Sequence, residues 1–177
     1  AVVVFARNGS EGNDVYQYAA DDTYSDGSAR RMMDLSTNEQ ALIEYLSAQK
    51  KAGVFKSIVV IIASEFQMEL GFLDEYDIDA CLLTGMTGSY GCEAIAQVLN
   101  GTVNPSGRTV DTYASNSLSA PSVVNGGVEG VSTWGNAAEL NDYDKINGDE
   151  NIDYYIVYGE GIYVGYKYYE TRYEDTV

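Results

Sequence analysis

Three short apolar runs, separated by polar loops or helix-patterned stretches, limit this chain more than any other feature. Residues 1–6 (Ala1-Val2-Val3-Val4-Phe5-Ala6) contain no polar position, as expected of a strand covered on both faces of a parallel sheet. Residues 57–63 and 80–84 are runs of the same kind, rich in Val, Ile and Leu. All are far too short to span a membrane. Between the first two, Ser36-Thr37-Asn38-Glu39 has capping-box form, with a hydroxyl at the N-cap and a Glu three residues on. Leu42, Tyr45, Leu46 and Gln49 recur behind it at helical spacing with Ile43 alongside, predicting a helix to about residue 52.

A second helix is predicted on Cys92, Ile95, Ala96 and Leu99, ended by Gly101 as a C′ glycine. Asn104-Pro105-Ser106-Gly107 has the composition of a turn, and residues 109–113 could pair as one more strand. Residues 7–35 read as a long polar loop and 66–76 as a short connection. Repeated β-α alternation argues for an α/β fold: a doubly wound, mostly parallel sheet flanked by helices. Residues 1–113 would form its core. Residues 114–177 form a long irregular C-terminal arm of the same domain, turning aromatic and β-rich after Tyr154. The chain opens in mid-strand without Met, so it reads as a fragment of a larger multidomain protein.

Composition removes several functions. The 177 residues carry 27 acids against 10 bases, a net charge of −17, and offer no basic stripe for nucleic acid. There is no His, which excludes Ser-His-Asp and Cys-His catalysis within the chain and imidazole metal sites. Nothing in the spacing of Cys81 and Cys92 indicates a disulfide, and two buried free thiols are expected. Asp142, Asp144, Asn147, Asp149, Glu150 and Asp153 fail the calcium-loop frame: with Gly148 at position six, Tyr143 and Lys145 fall at positions one and three. They read as a solvated acidic loop. Gly159, Gly161 and Gly165 have the wrong spacing for a dinucleotide loop. No cofactor or metal is expected.

The segment with most chemical content is Arg7-Asn8-Gly9-Ser10-Glu11-Gly12-Asn13-Asp14. It follows the carboxyl end of the first strand, where open α/β sheets bind ligands. Gly9 and Gly12 flank Glu11, so an unhindered loop could present that carboxyl to a substrate as proton donor or acceptor. Alone, this is indistinguishable from a solvated acid. Arg7 either faces Glu11 and stabilises its charged form or is a structural arginine. Asp14 reads mainly as a loop support bonding backbone amides.

The same residues carry a resemblance. The strand followed by Gly9-Ser10-Glu11-Gly12-Asn13-Asp14 is similar to the acid loop of family 3 glycoside hydrolases. The stretch Glu93-Ala94-Ile95-Ala96-Gln97-Val98-Leu99-Asn100-Gly101, running on through Asn104-Pro105-Ser106-Gly107-Arg108, resembles a second family motif. Val157-Tyr158-Gly159-Glu160-Gly161-Ile162-Tyr163-Val164-Gly165-Tyr166 resembles a third, and the three come in family order. Two departures stand out: Met86-Thr87-Gly88-Ser89-Tyr90-Gly91 replaces a Pro-Gly-Gln-Glu-Gly-Gly-like run, and Thr109-Val110 replaces Leu-Pro.

The resemblance implies the C-terminal α/β sandwich domain of a retaining β-glucosidase-like enzyme acting on terminal β-linked sugars. Glu11 would be the general acid/base, and the nucleophilic Asp would come from a TIM-barrel domain outside these residues. In such an enzyme the two carboxyls lie about 5–5.5 Å apart. The substrate would be an oligosaccharide or glycoside, and the chain alone would be inactive. Trp134 could stand at an aglycone subsite. Tyr154, Tyr155, Tyr158, Tyr163, Tyr166, Tyr168 and Tyr169 could stack on sugars, but tyrosines so arranged more often pack on a sheet or a neighbouring domain. A sheet lacking upstream strands could also self-associate through an edge. The compartment stays open between cytoplasm and cell exterior. The rival reading is a non-catalytic α/β glycan-binding or interaction module. A receiver-like signalling domain fits poorly with the short 66–76 connection and the long arm.

Overall fold

The computed structural model describes residues 1–7, 9, 15–126 and 157–172. A parallel three-stranded sheet is its centre, with strands in the order β1 (Val2–Arg7), β4 (Val59–Ser64), β5 (Ala80–Leu83). The register pairs Val3 with Val60 and Phe5 with Ile62, and Val60 with Cys81 and Ile62 with Leu83. Side chains alternate across a strand, so these six share one face. That face meets Leu35, Ile43, Ile58, Met68 and Phe72 to make the core. The rings of Phe5 and Phe72 meet edge-on, their centroids 5.9 Å apart.

Strands β1 and β4 differ on the other face. β4, flanked on both sides, buries Val60, Ile61 and Ile62. Val2 and Val4 of β1 are each 57% exposed, contrary to a strand covered on both faces. Their position explains it: β1 lies at the sheet edge and pairs with β4 alone among the described residues. The apolar run reports strand formation, but covering layers come from the rest of the fold.

Helix α1 (Thr37–Lys51) starts at the expected capping box: Ser36 accepts from the Glu39 N–H, and the Glu39 carboxylate accepts from the Ser36 N–H. Its buried line runs through Ile43 and Ser47, with Leu46 beside them. Leu42 and Tyr45, expected on the inner face, are exposed. The helix is turned so that Ile43 is the centre of the stripe and not its margin.

Residues 7–35 hold more structure than a loop. β2 (Tyr18–Thr23) and β3 (Ala29–Arg31) form an antiparallel hairpin. Its turn is closed by the Tyr24 N–H on the Ser28 carbonyl at 2.9 Å, with Gly27 at φ 84°. Such a φ strains any residue with a Cβ, so Gly27 makes the turn possible. The 66–76 connection contains one short helix, α2 (Phe72–Glu75). Helix α3 (Cys92–Leu99) ends as expected, with Gly101 at φ 78°.

Residues 109–113 form no strand, and 104–107 run without a turn. The chain instead reaches a single 3-10 turn (Ser117–Ser119) and α4 (Pro121–Asn125). Residues 162–169, expected to be β-rich, form no strand, and their second half lies in helix α5 (Tyr166–Thr171). Trp134, the acidic run from Asp142 to Asp153, Tyr154 and Tyr155 lie outside the described residues. Among the described residues no helix is long and apolar enough to cross a membrane.

Both cysteines are free, but only Cys81 is partly buried, and burial pushes its thiol up to about 11. Cys92 is exposed, which corrects the expected pair of buried thiols. Because the thiolate is the nucleophile, iodoacetamide at pH 8 is expected to alkylate Cys92 and spare Cys81 until denaturant is added. Peptide mapping of the labelled protein checks this. Equal labelling of both in the native state would contradict the burial.

Candidate functional site

Arg7, Gly9, Glu11, Gly12 and Asp14 are the residues that sequence reasoning put forward. Glu11, Gly12 and Asp14 lie outside the described residues, whereas Arg7 and Gly9 can be placed. Arg7 ends β1 at its carboxyl terminus, opposite Ser64 of β4. Its guanidinium grips Glu39 with both terminal nitrogens, and Nη2 also donates to the Asp34 carbonyl at 3.1 Å. These bonds tie Arg7 to the start of α1. Burial acting alone would raise the Glu39 carboxyl, but the bonds from Arg7 and Ser36 outweigh it and hold the carboxyl below its usual value of 4.5.

A carboxyl whose pKa is lower folded than unfolded stabilises fully above the unfolded value and loses that contribution as pH falls through the folded one. The stability difference between wild type and Glu39→Gln is therefore expected to be constant at neutral pH and to shrink below about 4.5. Urea melts at pH 7 and pH 3.5 measure it, and a difference that grows with acid would contradict the Arg7 pairing.

Gly9 is packed against the next strand exit. A Cβ built there would lie 2.6 Å from Glu65 Oε2 and 2.7 Å from Glu65 Cβ. Glu65 directly follows β4, so its stem occupies the space a side chain at position 9 would need. The glycine is thus explained by a close approach, whereas the sequence suggested only an open loop.

A second polar cluster went unread in the sequence. Glu69, 3% exposed, accepts from Arg31 Nε and Nη2 at 2.7 Å each and from the Ser117 N–H at 2.7 Å. Arg31 also reaches Asp34 at 3.2 Å, and Asp34 accepts from the Tyr24 hydroxyl at 2.7 Å. Burial and the Asp34 bond push the Tyr24 hydroxyl up to about 12. Arg30 lies over the Tyr24 ring, 4.4 Å from its centroid. Together these contacts bolt the β2–β3 hairpin to the segment before α2 and to the 3-10 turn. A cleft of about 380 Å³ lies beside the cluster, lined by Gln67, Glu69, Asp111, Ser122, Tyr166 and Tyr169. Met33, Met68, Val110, Ala114, Ala120 and Val123 also line it, so its walls are apolar as well as polar. Among the described residues no group of three or more Cys, Asp or Glu could hold a metal ion.

The family model described as "Glycosyl hydrolase family 3 C-terminal domain" matches residues 1–166. The chain belongs to that family. This family 3 domain is 31% identical over 118 residues to "Beta-glucosidase A" of Butyrivibrio fibrisolvens, covering 66% of the chain and 11% of that protein. It is 27% identical over 143 residues to "Beta-glucosidase" of Ruminococcus albus, covering 81% of the chain and 12% of the relative. Against "Thermostable beta-glucosidase B" of Acetivibrio thermocellus it is 28% identical over 158 residues, 89% of the chain and 17% of the relative. The family 3 domain therefore spans less than a fifth of the length of these curated relatives. Its three-stranded parallel sheet with flanking helices agrees with the α/β class expected.

Proposed function

We propose that this domain supplies the general acid/base, Glu11, to a retaining β-glucosidase-like enzyme whose nucleophile lies on a separate TIM-barrel domain. The reading is carried by the position of Ser10-Glu11-Gly12-Asn13-Asp14 in the chain. They follow β1, a strand of a parallel sheet, after Asn8 and Gly9, within a sequence that matches the family. Ligands of open α/β sheets gather beyond the carboxyl ends of the strands. The substrate is a glycoside or oligosaccharide with a terminal β-linked sugar, as the relatives' names suggest.

In the double displacement, the partner domain's carboxylate attacks the anomeric carbon while Glu11 protonates the departing oxygen. Glu11 then takes a proton from the water that releases the sugar. To begin protonated it needs a raised pKa, supplied by closure of the interface and by the neighbouring nucleophile. One carboxyl cannot perform both halves, so the 177 residues alone hydrolyse nothing. Residues 1–113 and 114–177 act as one domain, a reading supported by the Leu70 N–H on the Ala114 carbonyl at 3.3 Å and by the Ser117 N–H on Glu69.

The test is Glu11→Gln in the full-length protein, assayed on an unactivated disaccharide and on a nitrophenyl glycoside. Undiminished disaccharide turnover would refute the assignment. The cleft beside Tyr166 and Tyr169 favours a second reading, a non-catalytic glycan-binding module. Under it the full-length protein would bind sugar with or without Glu11 and show no Glu11-dependent turnover.

A further inference from the structure

The exit of β1 is held from two sides, and neither hold was legible before the fold. On one side Arg7 is gripped by Glu39, 32 residues away in sequence, whose carboxylate also closes the α1 capping box through the Ser36 N–H at 2.8 Å. On the other, Gly9 lies so close to Glu65 that no Cβ fits between them. Arg7 and Glu39 are both well covered, at 16% and 17% side-chain exposure, so the pair is not a solvent-swept surface bridge. Glu11 follows Gly9 by two positions.

We infer that Glu39 is a positioning residue of the glycosidase site, acting through Arg7 to fix the base of the loop that bears the acid/base. This rests on the reading of Glu11 given above. The capping box thus has two outputs: it starts α1, and it anchors the strand exit from which the acid loop departs. A proton donor must meet the leaving oxygen within hydrogen-bond reach, and a displacement of about 1 Å can cost a hundredfold in rate. A loosened anchor should therefore appear wherever acid assistance is needed and be hidden where the leaving group departs unaided.

Glu39→Gln separates the two outputs, because Gln at the third helical position still closes a capping box but forms no ion pair with Arg7. The full-length enzyme would be compared as wild type, E39Q, R7K, E11Q and Ile43→Val, the last loosening α1 from within its packed face. Each would be assayed on a nitrophenyl β-glucoside and on an unactivated β-linked glucose disaccharide, with thermal midpoints recorded. E39Q is expected to lower kcat/KM, which reports the glycosylation step, about ten- to hundredfold on the disaccharide and by less than about threefold on the nitrophenyl substrate. R7K, which keeps the charge but not the two-pronged grip, should fall between E39Q and wild type. I43V should lower the midpoint with no preference between substrates. If E39Q and R7K reduce both substrates in one proportion, as I43V does, the positioning role is overturned while the role of Glu11 stands. If E11Q itself shows no dependence on the leaving group, the acid/base reading fails and takes this proposal with it.

Discussion

In the full-length enzyme, Glu11→Gln is expected to cut turnover of an unactivated β-linked disaccharide by about 10²- to 10⁴-fold, the usual worth of a positioned general acid or base. Gln is close to Glu in shape and cannot donate a carboxyl proton, so folding and ground-state binding should survive. With a nitrophenyl leaving group the glycosylation step needs little acid help and its rate should fall far less. Deglycosylation still requires a base to activate water, so the glycosyl-enzyme should accumulate and a burst of nitrophenol should precede a slow steady state. A small azide anion needs no base and should accelerate that steady state by removing the sugar as a glycosyl azide. Equal losses on both substrates, with no burst, would place the acid/base elsewhere.

The largest stability effect is expected at Glu69. Removing its carboxylate as Glu69→Ala leaves Arg31 facing a void and the Ser117 N–H without its acceptor. Breaking one side of a buried ion pair costs about 3–5 kcal/mol, because the remaining charge stays desolvated. Arg31 is 22% exposed and keeps Asp34, so a value near the lower end, about 3 kcal/mol, is expected. Urea unfolding followed by circular dichroism measures it. Glu69→Gln, which retains an acceptor for Ser117, should cost less than Ala. A change below about 0.5 kcal/mol in the Ala variant, the range of an ordinary surface substitution, would show that the hairpin is held by something else.

The strands and the start of α1 were readable because their causes are local. β-branched apolar runs select extended backbone, and Ser36 with Glu39 forms the capping box within four residues. The β2–β3 hairpin escaped notice because its first strand, Tyr-Ala-Ala-Asp-Asp-Thr, is poor in strand-forming residues. What holds it is Arg31 on Glu69, 38 residues away. Residues 109–113 have strand composition but no pairing partner among the described residues. Tyr166–Thr171 shows the opposite error, since tyrosines compatible with a strand form a helix.

Of the candidate site, residues 9–14 were legible as a motif, whereas the contacts of Arg7 and Gly9 were not. Glu39 was recognised as a helix cap, but nothing in sequence links it to Arg7. Gly9 suggested freedom and turned out to mark a tight approach to Glu65. Pairings separated by tens of residues depend on register, and register is set by the whole sheet.

The middle position of β4 governs how these parts exchange their amide hydrogens with water. Its central residues, Val60, Ile61 and Ile62, are buried and paired on either side, so their amides should be released only when the entire domain opens. The β2–β3 hairpin belongs to a separate two-stranded sheet and can open at lower cost. Deuterium uptake would accordingly start at the hairpin and finish at β4. Because β1 is hydrogen-bonded along its full length to that slowest strand, Arg7 at its end stands on ground that stays still while the hairpin breathes.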